Sequence, residues 1–364
     1  MYRVDVVRIP VTGPGDVSGL EHLLDAGQLD ARDIVAVLGK TEGNGCVNDF
    51  TREYATHAYA TVLARHLGQS PREVENRVAF VMSGGTEGVL SPHVTVFARS
   101  PVAVSSSTGR KRLSIGVAFT RDFAPHELGR LAQVQATADA VHQAMRDAGI
   151  EEAADVHFVQ IKCPLLTSAK VSRALAAGRE PVTHDTYESM GFSRGASALG
   201  VAVALGEITT EGLGDDAVLA DWSRYSSVAS TSAGIELDHN VVIVMGMSER
   251  ADGPLAIAHD VMTDAIDTSG LLRALRTLEL SPGPEVADRV VNVFAKAEAS
   301  PHGHVRGMRH TMLDDSDINS TRHARSVVGA VIASVVGHGM VYVSGGAEHQ
   351  GPAGGGPVAV IARV

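Results

Sequence analysis

The chain has 364 residues, 44% of them hydrophobic and 20% charged, which is enough to core more than one ordinary domain. A formal net charge of −11 without a long basic run argues against nucleic acid or an anionic membrane surface and leaves a small molecule as the expected partner. Two cysteines, Cys46 and Cys163, make no disulfide framework and fit a reducing cytoplasm.

The opening MYRVDVVRIP alternates apolar and polar residues as a strand does, and it lacks the pattern of a secretory signal. A strand over 33–40 ends at Lys40 in IVAVLGK. A helix is expected after Arg52 in NDFTREYA, and a second strand over 78–82 runs into the turn VMSGGTE at Ser83. The polar stretch SSSTGRKR near Ser105 separates this unit from the next. A strand over 156–162 closes at Lys162 in FVQIK. A helix is expected after Arg194 in GFSRGASALG, a turn at Ser232 in ASTSAGIE, and a strand after Glu236. SERADGP near Ser248 is the second separator.

In the third unit VNVFAK ends at Lys296 and VYVSGGAE turns at Ser344. The run from Ser326 to Val343 carries no Asp, Glu, Lys or Arg and approaches membrane-span length. Gly337 and Gly339 around His338 break it into a buried helix over 325–336, a turn and the strand carrying Ser344.

Lysine precedes serine three times, by 43, 70 and 48 residues. These landmarks divide the chain into units 1–104, 112–248 and 256–364, the middle one carrying insertions around PVTHDTYESMGFSR and near Trp222. Units of strand, helix and strand that each leave an apolar face exposed must stack on one another. Three of them predict an α/β fold closed around a pseudo-threefold axis, where the Ser/Lys pairs meet.

Only five lysines occur, and three occupy these matched places, while arginine serves as the general surface cation. Arginine does not give up its proton, so a repeated choice of lysine points to a base. A serine hydroxyl attacks only when something takes its proton, and a lysine does so only when neutral. Moving a lysine from about 10.4 to about 7 needs roughly 4.6 kcal/mol of selective destabilisation of its ammonium, which burial and a nearby arginine supply. Gly84, Ala233 and Gly345 directly after the serines let backbone N–H groups approach a developing oxyanion.

Each unit also brings an arginine to a helix: Arg52, Arg194, and either Arg322 or Arg325. RGASALGVAVALGE and RSVVGAVIASVVGH superpose without a gap, which favours Arg325. The helix dipole opposes cations at an N-terminus, so arginines there point to an anionic or carbonyl-rich ligand. Three sets of serine, lysine and arginine suit a flat ring with three alternating carbonyls and N–H groups.

Three other readings compete. His302 and His304, with His310 nearby, resemble a metal-binding H-x-H pair, but they lie in a Pro/Gly loop and read better as surface histidines. Cys163 beside Lys162 reads as a small buried hydrophobe rather than a nucleophile. A non-catalytic protein that merely binds a small ligand gives no reason for lysine over arginine at three matched places.

Long strings carry a further likeness: GKTEGNGCVNDFTREYAT, VAFVMSGGTEGVLSPH, VQIKCPLL, DTYESMGFSRGASALG, SAGIELDHNVV, VNVFAKAEASP, GMRHTMLDDSDINSTRHAR and VVGHGMVYVSGGAEHQGPAGGGP. With these the chain resembles, over essentially its whole length, the cyanuric acid hydrolase and barbiturase family of ring-opening amidohydrolases. The resemblance implies a single fold of three repeats around a β-barrel-like centre with the active site on the axis. It also implies hydrolytic opening of cyanuric acid to carboxybiuret, which loses carbon dioxide to give biuret; barbituric acid opened to ureidomalonate is the alternative.

Carried over by position, Ser232 is the nucleophile and Lys162 its base. Ser83, Ser344, Arg52, Arg194, Arg325, Gly84, Ala233 and Gly345 bind substrate, and Lys40 and Lys296 complete the other two pairs. The resemblance further implies a homotetramer and a structural divalent cation, Mg²⁺ or Ca²⁺, at Glu298, Ala347, Gln350, Gly351, Pro352 and Gly355. A carboxylate, an amide oxygen and carbonyls in a Gly/Pro-rich loop suit such a hard ion.

Overall fold

A computed structural model describes residues 1–102 and 109–364; the serine-rich start of the first separator and the end of unit 1–104 lie outside the described residues. The first stretch runs β1 (Tyr2–Pro10), α1 (Ser18–Asp25), β2 (Ile34–Thr41), α2 (Phe50–Leu67), α3 (Pro71–Glu75), β3 (Ala79–Gly84) and β4 (His93–Pro101). The second runs β5 (Arg112–Phe119), α4 (Leu131–Ala148), β6 (Val156–Pro164), α5 (Ser168–Ala176), α6 (Thr186–Ala204), β7 (Ala229–Gly234) and β8 (Val241–Ser248). The third runs β9 (Leu255–Met262), α7 (Thr268–Thr277), α8 (Pro284–Arg289), β10 (Val290–Ala297), a short hairpin of β11 (His304–Val305) and β12 (Met308–Arg309), α9 (Ser320–Val336), β13 (Tyr342–Gly345) and β14 (Gly356–Arg363).

The fold is α/β, with three four-stranded mixed sheets ordered β1-β4-β2-β3, β5-β8-β6-β7 and β9-β14-β10-β13. In each, the second and third strands of the stretch are parallel neighbours, a pairing that needs a crossover, and α2, α6 and α9 supply it. Ladder pairing stays within each sheet among the described residues. Isolated bridges, Tyr2 with Ala251 and Ser226 with Gln350, join one stretch to another, so the ladders close no barrel.

Each sheet buries both faces, which is why β2, β6 and β10 read as nearly unbroken apolar runs rather than alternating ones. One face of each sheet lies under helices. The other contributes to a shared core in which Phe97 and Phe158 pack on Phe294 with ring centroids 6.2 and 5.5 Å apart. No helix among the described residues is long and apolar enough to cross a membrane.

Caps set the helix starts. Asp49 accepts the N–H of Thr51 ahead of α2, Asp185 that of Glu188 ahead of α6, and Asn319 that of Thr321 ahead of α9. Two expectations are corrected as a result. The last helix begins at Ser320 rather than Arg325, and Arg194 lies in the middle of α6 rather than at its start, so the helix-dipole argument does not apply to it. The signal was present in DTYE, an acidic cap followed three residues later by glutamate.

A third correction concerns the serines, which lie inside the last residues of strands β3, β7 and β13 instead of in turns. In the middle stretch the strand expected after Glu236 is present as β8, and the serine lies on a further strand, β7, that precedes Glu236. Helix α5 and the long segment between α6 and β7 account for the 70-residue spacing there.

Candidate active site

The parallel registers align Lys40 with Ser83, Lys162 with Ser232 and Lys296 with Ser344. Residues aligned across neighbouring strands share a face, so each lysine and its serine emerge side by side at the carboxyl ends of their strands. The ends of open α/β strands are where ligands bind in this class of sheet. Here the three ends converge on one small cavity of about 30 Å³, lined by Gly45, Arg52, Ser83, Gly84, Lys162, Met190, Arg194, Ser232, Ala233, Arg325, Ser344 and Gly345.

All three lysines are buried, Lys40 and Lys296 at 1% exposure and Lys162 at 2%. Burial pushes each below the ordinary lysine value, aided by Arg325 at Lys40 and Arg194 at Lys296, which is held down to about 7. At Lys162 burial again dominates; Glu236 opposes the shift and Arg52 adds to it. Lysines also cross between sheets: Lys162 donates to the carbonyl of Met82 at 3.0 Å and Lys296 to that of Thr231 at 2.8 Å.

Two serines are held by their lysines. Lys40 Nζ donates to Ser83 Oγ at 3.2 Å and Lys296 Nζ to Ser344 Oγ at 3.2 Å, so each hydroxyl keeps its hydrogen for a ligand. The contact expected between Lys162 and Ser232 is not made: Ser232 Oγ is buried without a partner. Lys162 Nζ lies instead 3.3 Å from Glu236 Oε1, because a carboxylate outbids a neutral hydroxyl for an ammonium.

Two of the three arginines are held by glutamates that follow the serine strand of a neighbouring sheet. Arg325 meets Glu87 through Nε and Nη2 at 2.9 and 2.5 Å, and Arg194 meets Glu348 through the same atoms at 2.8 and 2.5 Å. Arg322 reaches Glu87 from outside at 3.4 Å with its side chain 40% exposed, and it does not line the cavity. Arg52 is buried, and its Nε and Nη2 lack partners. Sequence reasoning missed Glu87, Glu236 and Glu348, although each stands four residues after its serine. It also missed Gly45 and Met190, which have no counterpart in the repeated strings.

Glu298, partly buried, directly follows β10, and its carboxylate accepts from the N–H groups of Ala299 and Ala347 at 2.9 and 3.0 Å. Burial and the neighbouring charge of Glu348 push its pKa up, the environment a bound cation would relieve. Gln350 turns its side-chain oxygen to the N–H of Thr231 at 2.6 Å, tying this loop to the residue before Ser232. Gly351 and Gly354 hold φ of 93° and 84°, and the Gly355 N–H closes a turn onto the Pro352 carbonyl at 2.9 Å. A carboxylate beside the backbone carbonyls of a Gly/Pro-rich turn is the oxygen donor type that a hard ion takes. His302 and His304 are exposed, and no group of three His, Cys, Asp or Glu fit for a metal occurs among the described residues. Cys163 is fully buried and burial pushes its thiol pKa up, which suits packing and not attack.

Residues 5–363 match the family described as amidohydrolase ring-opening protein. A cyanuric acid amidohydrolase of Pseudomonas sp. (strain ADP) is 66% identical over all of both chains, and one of Enterobacter cloacae is 59% identical over 99% of each. A solved cyanuric acid hydrolase structure superposes with a TM-score of 0.97 at 66% identity, covering all of both chains.

Proposed function

The chain belongs to the amidohydrolase ring-opening family and is an amidohydrolase, and on that premise we propose that it opens cyanuric acid by hydrolysis to carboxybiuret, which decarboxylates to biuret. Ser232 is the nucleophile and Lys162 its base. The observation that carries this assignment is the contrast among the serines: Ser83 and Ser344 are occupied as acceptors by their lysines, and Ser232 alone of the three has a free hydroxyl.

Ser232 Oγ attacks a ring carbonyl while its proton passes to Lys162. The N–H of Ala233 and neighbouring donors take the negative charge that develops on the carbonyl oxygen. The proton then goes to the departing ring nitrogen, and water releases the acyl group by the same steps in reverse. Ser83 and Ser344, with Arg52, Arg194 and Arg325, donate to the ring oxygens. Gly84 and Gly345 offer backbone N–H groups, and Lys40 and Lys296 orient the two binding serines.

The shared strand order supports reading 1–104, 112–248 and 256–364 as three copies of one unit around a barrel-like centre, with the cavity on their pseudo-threefold axis. Such an axis matches a symmetric triazine better than a ring with one carbon in place of nitrogen. Steady-state kinetics on both substrates tests this: kcat/KM is expected to favour cyanuric over barbituric acid by at least about tenfold, the scale on which pockets read one-group differences. A preference for barbituric acid overturns the substrate and leaves the chemistry.

Glu298, with Ala347, Gln350, Gly351, Pro352 and Gly355, would hold a divalent Mg²⁺ or Ca²⁺ that pins the loop after Ser344. Exhaustive chelation is then expected to lower Tm by roughly 5 °C or more, as loss of a native-state ligand does. Turnover per folded molecule should remain, and its complete loss at unchanged Tm would mean a catalytic ion. The family likeness also carries the proposal of a homotetramer in a reducing cytoplasm, with which the free cysteines agree.

A further inference from the structure

The three glutamates that follow the serines do not do the same job. Glu87 and Glu348 each clamp the Nε and Nη2 edge of an arginine from a neighbouring sheet, Arg325 and Arg194 respectively. The third arginine, Arg52, is on the first stretch, and the same circular order assigns it Glu236 of the second. Instead Glu236 lies 3.3 Å from Lys162 Nζ, and the two atoms of Arg52 left buried and unpartnered are Nε and Nη2, the edge its counterparts use.

The backbone differs in parallel. Gly85 and Gly346 hold φ of 107° and 76°, and a Cβ on either would strike the clamped guanidinium at 2.5 and 2.6 Å. Gly234, at the matching place, takes no positive φ, and a Cβ there would meet the Glu236 carboxylate at 2.3 Å.

We propose that Glu236 is a positioning residue with two seats, one on Lys162 as seen and one on the vacant edge of Arg52, and that its move to Arg52 releases Lys162 to Ser232. This rests on the Ser232 and Lys162 assignment above and explains why that pair, of the three, reacts. A cleft of about 810 Å³ borders both Lys162 and Glu236, giving the carboxylate room to move and water a route to the lysine.

On the first seat the lysine is an ammonium paired with a carboxylate. When Glu236 leaves, the ammonium passes one proton to cleft water and the neutral Nζ accepts the Ser232 proton as Oγ bonds to the carbonyl carbon. That proton ends on the ring nitrogen as the C–N bond breaks, and Glu236 stays ionised throughout. Lys162 is faced by Glu236 from the segment after β7, by Arg52 from α2 and by the adjacent Cys163 thiol. On the cleft side, Glu236 shares its surroundings with Glu53, His57, Arg72, Glu75, Asp122, Asp238 and His239, and Asp49 lies 3.9 Å from Nη1 of Arg52, leaving the Nε and Nη2 edge open.

The test is the pH dependence of kcat in Glu236→Gln, with Glu87→Gln as the control. Without its carboxylate partner the ammonium of Lys162 is less favoured. The acid limb is therefore expected to move to lower pH by about one unit or more, with a plateau lowered about tenfold by the weaker base. Glu87→Gln should raise KM and leave the limb in place. Arg52→Met removes the second seat and should move the limb to higher pH, an effect that shrinks in the Glu236→Gln background if Arg52 acts through Glu236.

Should Glu236→Gln fail to fold, Glu236→Asp keeps the charge but shortens the reach, and a smaller shift in the same direction is expected. An unmoved limb, or a rise in KM alone as for Glu87→Gln, overturns the role of Glu236. Wild-type turnover in Ser232→Ala or Lys162→Ala overturns instead the assignment on which it rests.

Discussion

Ser232→Ala is expected to lose about 10⁴-fold or more in kcat while still binding cyanuric acid, because removing a nucleophile from a unit of coupled groups leaves only the contribution of binding and charge stabilisation. The substitution removes one buried oxygen that bonds to nothing in the protein, so the fold has little reason to respond. Lys162→Ala should be nearly as inactive, since losses within one such unit do not add. Ser83→Ala supplies the contrast: it deletes a hydroxyl already held by Lys40, and it should raise KM about tenfold while keeping measurable turnover. Comparing kcat and calorimetric binding in these variants checks the assignment, and wild-type-like turnover in Ser232→Ala sinks it.

Arg325→Met should be costly in two separable ways. Glu87 is 14% exposed and Arg325 only 5%, so removing the guanidinium strands a largely buried carboxylate, a change that costs about 3–5 kcal/mol in comparable pairs. Burial then pushes the Glu87 pKa up, opposed by the part-exposed Arg322 at 3.4 Å and by the charge of Lys40. Adding Glu87→Gln to the same chain should restore much of the stability, read by urea unfolding, because the uncompensated charge is gone. Turnover should stay low in both, since a donor to the ring is still missing. Recovery of activity along with stability would make Arg325 a structural residue only.

The lysines and serines were legible because repetition does not depend on structure: three scarce lysines ahead of three serines stand out in the letters alone. The βαβ crossover between them was legible from strand-length apolar runs flanking a helical one, and the parallel register that aligns each pair follows from it. The ion pairs were not. Arg194 and Glu348 lie 154 residues apart and Arg325 and Glu87 lie 238 apart, and no local periodicity encodes a partner at that range. The start of α6 was misplaced for a different reason: PVTHDTYESMGFSR reads as an insertion, which puts the helix after Arg194, although Gly191, Ser193, Gly195 and Ser197 all lie within it. In the fold they are buried positions, where Ser193 and Ser197 bond Gln133 of α4. The asymmetry of Glu236 left only a hint in the letters: SAGIE keeps the serine, the second glycine and the glutamate of its counterparts and differs by Ala233 where they have glycine, and its stretch carries the longer insertion.

Lys162 and Lys296 each fasten onto a backbone carbonyl one residue before a serine that belongs to a different sheet. The candidate site is thus itself a joint between parts of the molecule. An incompletely assembled chain has no half-working version of the site, so the enzyme's competence is a faithful reporter of its global integrity.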